Sequence, residues 1–277
     1  MAVSAELTAL VKQVPGNDGE WYKGVKWDDA AKTCDGVLTN TPQNVAGLVA
    51  SLNEVDNGKD FQPRYLLRIL TTYVGRPEKA AAKDAVVDAL VAALAGDYPK
   101  SVKGTVLREL QFLADKRAAA ALAPFLADEV LNADAANALL NIREGAIDLF
   151  LAALPKATGQ SRTTIVQALG TLGNPAAIGA LQTAAATEKE EETQLAALWG
   201  LARLGDAGSV DVLLKASDAP AGWTRSQAGN ACLLLAEKLA ATGRKADATR
   251  IYEHLKETRT DKSETYLQDL ATRALSS

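Results

Sequence analysis

The sequence predicts an all-α fold, a right-handed α-solenoid of six or seven stacked antiparallel helix pairs with no β-sheet. Three observations predict it. The first is a phrase, apolar-x-x-apolar ahead of a helix stop, that returns about every thirty residues: Leu110 with Leu113, Leu139 with Ile142, Leu169 with Leu172, Leu201 with Leu204 and, more loosely, Leu235 with Leu239. The second members are 29, 30, 32 and 35 residues apart, and a fixed period of this length marks an array of helical repeats. The second is composition. Hydrophobic residues make up 48% of the 277 but aromatics only 5%, and the abundant alanine favours helices that approach one another closely. The third is punctuation, since glycine and proline fall between apolar segments of helical period. A chain of this length is near the size at which a single core splits. An array escapes that limit because each repeat packs only on its neighbours.

The elements follow in order. Residues 1–14 predict a short helix ended by Pro15-Gly16, and residues 15–27 carry no clean period and predict an irregular segment. A helix over 28–38 follows. Thr41 then Pro42 predict the next start, a capping hydroxyl followed by proline at the first helical position, with an end near Asp56-Asn57-Gly58. Tyr65, Leu66, Ile69, Leu70 and Tyr73 give one helix and Val86, Val87, Leu90, Val91 and Leu94 the next, starting at Pro77. Regular pairs are then predicted at 99–114 and 116–127, 130–141 and 144–154, 161–172 and 175–186, and 190–204 and 207–216. The run from Glu188 to Glu192 reads as an acidic helix start, favourable beside the N-terminal end of the helix dipole. Beyond it lie a longer pair turning at Gly243 and a mixed polar and apolar helix over 263–275, suited to capping an array. The domain reading is therefore a helical cap over 1–59, repeats over 60–218, and a last hairpin with a capping helix over 219–277.

The segment Thr163-Thr164-Ile165-Val166-Gln167-Ala168-Leu169-Gly170-Thr171-Leu172-Gly173-Asn174-Pro175, followed by Ala177-Ile178-Gly179-Ala180-Leu181, resembles HEAT repeats of the bacterial, phycobilisome-lyase-like type. Residues 195–214, with Ala197-Leu198-Trp199-Gly200-Leu201-Ala202-Arg203-Leu204-Gly205-Asp206, are similar to them. The likeness covers 60–218 well and 220–258 loosely, where the hairpin around Gly243 also resembles a tetratricopeptide unit. The resemblance implies an armadillo-like solenoid that serves as a scaffold for a protein or peptide partner. Two alternatives stand beside it: a bilin-lyase-like or other small-ligand handler, and a structural spacer or self-assembling unit.

Chemistry narrows the functional classes further. The net charge is -4, and only residues 61–130 carry an excess of bases, 10 against 8 acids. That balance opposes nucleic-acid binding, where basic side chains on phosphates supply most of the non-specific affinity. The single histidine, His254, reads as a surface or boundary residue. With two distant cysteines it leaves a His-rich metal site unbuildable, so the iron-dependent hydroxylases of HEAT type are excluded, and no nucleophile motif supports a Ser-His-acid triad. Cys232 reads as core and Cys34 as a partly exposed thiol. Gly170, Gly173, Gly200 and Gly205 read as packing and stop positions, and no phosphate-cradling loop is present. The chain is accordingly predicted to be no enzyme, with no catalytic residue, metal or cofactor.

The candidate binding features are few. Ten residues before Val74, Leu113 and Leu172 stand Arg64, Lys103 and Arg162, three cations at one repeat position, which predict either a partner-binding edge or ordinary solvated surface. Trp21, Trp27 and Trp223 lie in less regular segments and are the candidate exposed aromatics, whereas Trp199 reads as core. The wall of second helices is the expected contact surface. A protein or peptide partner is predicted, with a small-molecule ligand as the alternative. No stretch is apolar enough to span a membrane and no secretory signal opens the chain. The expected location is cytoplasmic, or periplasmic or secreted if Met1 is an added start on a mature chain.

Overall fold

The computed structural model describes residues 3–16, 26–54 and 58–276. Trp21, most of the segment predicted to be irregular and the helix end predicted at 56–57 lie outside the described residues. Among the described residues there are sixteen α-helices, five short 3-10 segments and no strand. The chain forms two compact units, Met1–Ala146 and Ile147–Ser277. The predicted boundaries at 59 and 218 each fall inside one of them.

In the first unit, α1 spans Ala5–Val11, shorter than its prediction, and is capped by Ser4, whose hydroxyl accepts from the Leu7 amide at 3.0 Å. α2 (Trp27–Leu38) and α3 (Thr41–Ala50) follow. Thr41 is not the cap. Asn40 holds that position, and the buried Thr41 hydroxyl instead donates back to the Leu38 carbonyl at 3.3 Å, closing the preceding helix. α4 (Phe61–Val74), α5 (Ala80–Leu94), α6 (Lys100–Leu113), α7 (Lys116–Leu122) and α8 (Asn132–Ile142) complete the unit. Contacts join alternate helices: α2 packs on α4, α3 on α5, α4 on α6, α5 on α7 and α6 on α8. The helix pair α2–α3, predicted as part of a cap, therefore stacks on its neighbour as the later pairs do.

The second unit holds α9 (Ala146–Ala153, at the boundary), α10 (Gly159–Leu172), α11 (Ile178–Thr187), α12 (Glu191–Leu204), α13 (Val210–Ser217), α14 (Trp223–Ala241), α15 (Lys245–Thr258) and α16 (Thr265–Leu275). Here α10 packs on α12 and α12 on α14, while α11 packs on α13 and α13 on α15. α16 covers α14 and α15, the capping position predicted for it. Gly173 and Gly205 end α10 and α12 in the left-handed conformation, with φ of 63° and 70°, where a Cβ would be strained. Each unit is thus an all-α solenoid of stacked helix pairs.

The repeated phrase is where the cores are built, but its two positions differ. Leu110, Leu139, Leu169, Leu201 and Leu235 are all 0% exposed. Among the second positions, Leu113, Leu172 and Leu239 are buried while Ile142 and Leu204 are only half-buried. The reason is position: Leu113, Ile142, Leu172 and Leu204 are each the last residue of a helix, so their cover depends on whatever follows the stop. The second position is therefore core at Leu113, Leu172 and Leu239 and only partly covered at Ile142 and Leu204.

Candidate functional site

The three repeat-position cations are already engaged. In the first unit, Arg64 pairs through Nη2 with the buried Asp60 carboxylate at 2.5 Å and donates through Nη1 to the Thr105 hydroxyl on α6 at 2.6 Å. Lys103 holds its ammonium 5.9 Å from the centre of the Phe125 ring. In the second unit, Arg162 pairs with Glu188 at 2.5 Å and donates to the Leu154 carbonyl at 2.8 Å. Arg64 and Arg162 are thus held in ion pairs within their own units, while Lys103 has only the Phe125 ring nearby. The two arginines tie the start of a first helix to neighbouring segments. The sequence could not show this, because the partners lie 4 to 41 residues away.

The reactive side chains are placed as follows. Cys34 is buried rather than partly exposed, and burial, reinforced by the neighbouring Asp35 carboxylate, pushes its thiol up to about 12. Cys232 is core as expected and is likewise pushed up to about 12 by burial. Neither is a thiolate near neutral pH. His254 Nε2 lies 2.9 Å from Asp218 Oδ1 and 3.3 Å from Ser217 Oγ. A Ser-His-acid relay needs the serine and the acid on opposite ring nitrogens. Here both approach the same one, and Ser217 is fully buried.

The aromatic candidates divide. Trp27 is 37% exposed and lies under the Arg76 guanidinium, 4.6 Å from its ring. Trp223, the first residue of α14, is 63% exposed. Trp199 is half-buried rather than core. It lines, with Trp223, an open groove of about 500 Å³ across α10, α12 and α14 of the second unit.

Helical period builds this groove. α12 contributes Glu192, Leu195, Ala196, Trp199, Gly200 and Arg203, spaced i, i+3, i+4, i+7, i+8 and i+11 along one face. α10 contributes Gln167, Gly170 and Thr171, and α14 Trp223 and Gln227. The floor is bare backbone. A Cβ placed on Gly170 would stand 2.6 Å from the Cα of Gly200, so α10 and α12 touch without side chains between them. One level away, the Thr163 and Thr193 hydroxyls hydrogen-bond at 2.6 Å. Equivalent positions thirty residues apart therefore meet directly. Glu192 and Arg203 stand exposed at opposite ends of the α12 face, and neither forms an ion pair with a described residue. The groove thus lies on first helices, not on the predicted wall of second helices. The signal that could have located it is the Ala196 and Gly200 pair beside Trp199: a face carrying such small residues leaves a large neighbour standing at the surface.

Residues 147–232 match the HEAT repeats family. No curated protein matches the chain by sequence. Among solved structures, one from work on the phosphorylation switch between cadherin and beta-catenin is similar at 15% identity and a TM-score of 0.42, covering 92% of this chain. This chain spans 61% of that protein's length. The complex of CpcE and CpcF of phycocyanin lyase from Nostoc sp. is similar at 16% identity and a TM-score of 0.37, over 98% of this chain and 96% of the other. An engineered protein is similar at 23% identity and a TM-score of 0.32, over 84% and 95%. Among the described residues no helix is long and apolar enough to cross a membrane. The family match lies on the stacked helices from α9 into α14, so residues 147–232 carry HEAT repeats within an all-α solenoid.

Proposed function

We propose that this chain is a non-enzymatic scaffold that binds a peptide segment of a protein partner in the groove over α10, α12 and α14. One observation carries the reading: two tryptophans, Trp199 and Trp223, stand beside a glycine floor in an open trough, with exposed charges at its ends. Tryptophan is the residue most enriched at binding hot spots, because it brings large rigid apolar area and a polar N–H together. An open trough suits a chain segment better than an enclosed small molecule, whose site would bury most of its surface. The buried, protonated thiols and the one-sided contacts of His254 favour binding without a catalytic step.

The test is affinity capture with the full chain and with a Trp199→Ala, Trp223→Ala double variant, alongside Trp27→Ala as a control in the first unit. A stoichiometric partner recovered by the parent and the control but lost by the double variant is expected. Equal capture by all three would refute the groove as the binding site.

A further inference from the structure

Resting on the peptide reading of the groove, we propose that its occupant is an extended segment carrying one basic and one acidic side chain about five residues apart, with small or apolar residues between them. The groove is bipolar and its polarity can be read from the register of its helices. Gly205, just past the end of α12, lies against Lys238 of α14, so positions on α14 are matched to positions about thirty-three earlier on α12. Trp223 therefore stands beside the start of α12, at the end where Glu192 is exposed and Glu190 and Glu191 precede it. Arg203 stands at the other end, one turn beyond Trp199. Glu188, the remaining acid of the run, is paired with Arg162, and Arg225 near Trp223 is paired with Glu264 at 2.8 Å. The ends are left with Glu192 and an open tryptophan face on one side and Arg203 on the other.

A cation at the first end gains both a carboxylate and the π face of Trp223, which is 63% exposed. A carboxylate at the other end matches the guanidinium of Arg203. Glu192 and Arg203 are eleven residues apart on α12, which a rise of about 1.5 Å per residue converts to about 16 Å. An extended segment covers that distance in about five residues at about 3.3 Å each. Between the ends the trough offers Ala196 and the Trp199 ring above the buried Leu195, surfaces for apolar or proline side chains.

The experiment uses the full chain and fluorescently labelled hexapeptides, read by anisotropy. The probe is Lys-Ala-Pro-Leu-Pro-Asp, compared with a version whose acid follows the lysine after two residues and with one ending in lysine instead of aspartate. The first is expected to bind most tightly. Arg203→Glu should weaken it by about three- to tenfold, the range for exposed charge pairs reversed in sign, and should bind the doubly basic peptide better than the parent does. Arg203→Gln should fall between. Binding that needs Trp199 and Trp223 but ignores both the spacing and Arg203 would overturn the charge register and leave the peptide reading standing. Failure of all three peptides to bind would overturn both.

Discussion

The contact between Gly170 and Gly200 lets one substitution be compared with its twin elsewhere in the same unit. Gly170→Ala adds a methyl group 2.6 Å from the Gly200 Cα, and backbone, unlike a flexible side chain, cannot turn aside. Overpacking of this kind costs about 1–3 kcal/mol, and a clash with a neighbouring helix axis belongs at the upper end. Alanine gains about 1 kcal/mol over glycine in a helix interior, so the net loss is about 2 kcal/mol. Gly179→Ala is the same chemical change on α11, where a Cβ meets nothing within 4 Å and φ is not positive. There only the propensity gain applies, and the variant should be more stable by about 0.5–1 kcal/mol. Thermal and urea unfolding followed by circular dichroism would measure both. For a unit of this size the two midpoints should move in opposite directions and differ by several degrees. If Gly170→Ala is as stable as the parent, α10 and α12 do not meet through bare backbone, and the account of the groove floor falls with it.

Two further outcomes follow from the core and its buried charge. Leu201→Ala, at a position with no exposure, should cost about 2–5 kcal/mol. Leu204→Ala, half-buried at the helix end, should cost less than half as much; equal losses in urea titration would contradict the distinction between the two positions of the repeated phrase. Glu109 is buried on α6, where it accepts from the Thr71 hydroxyl at 2.6 Å and pairs with Arg68 at 3.1 Å. Burial is the largest influence and raises its pKa above the ordinary value of 4.5, although Thr71 and the arginines pull the other way. The folded chain thus holds this proton more tightly than the unfolded chain. Its contribution to stability is fully present below 4.5 and is lost as pH rises through the folded value. The stability of the parent relative to Glu109→Gln should rise as pH falls toward 4.5; a difference that is flat, or that grows with rising pH, would refute this.

Much of the fold was legible because its signals are local. Gly173 and Gly205 stop helices whatever surrounds them, since the left-handed backbone they adopt belongs to the residue itself. Helices α6 to α13, apart from the early end of α7, fall close to their predicted ranges for the same reason: apolar period and stop residues act over one or two turns. The misplaced cap at Thr41 shows the limit. A threonine before a proline reads as a cap, but its hydroxyl had a competing carbonyl at Leu38, three residues back. The candidate site was far less legible. Arg64 and Arg162 share a repeat position, yet what they touch depends on Thr105 and Glu188, and nothing in the spacing marks those as partners. Trp199 sits in an apolar helix and looks like core until α10 and α12 close on each other through glycine and leave its ring at the rim of the trough.

The sequence by itself determined that this chain is a stack of helix pairs and, to within a few residues, where most of those helices start and stop, because these follow from backbone preference and one-dimensional period. Tertiary structure alone decided which face carries a groove, that Cys34 is sealed, and that two of the three repeat cations are consumed in ion pairs. Each of those outcomes is a distance between side chains remote in sequence, set by how closely neighbouring helices approach, and at Gly170 and Gly200 that approach is as close as backbone allows.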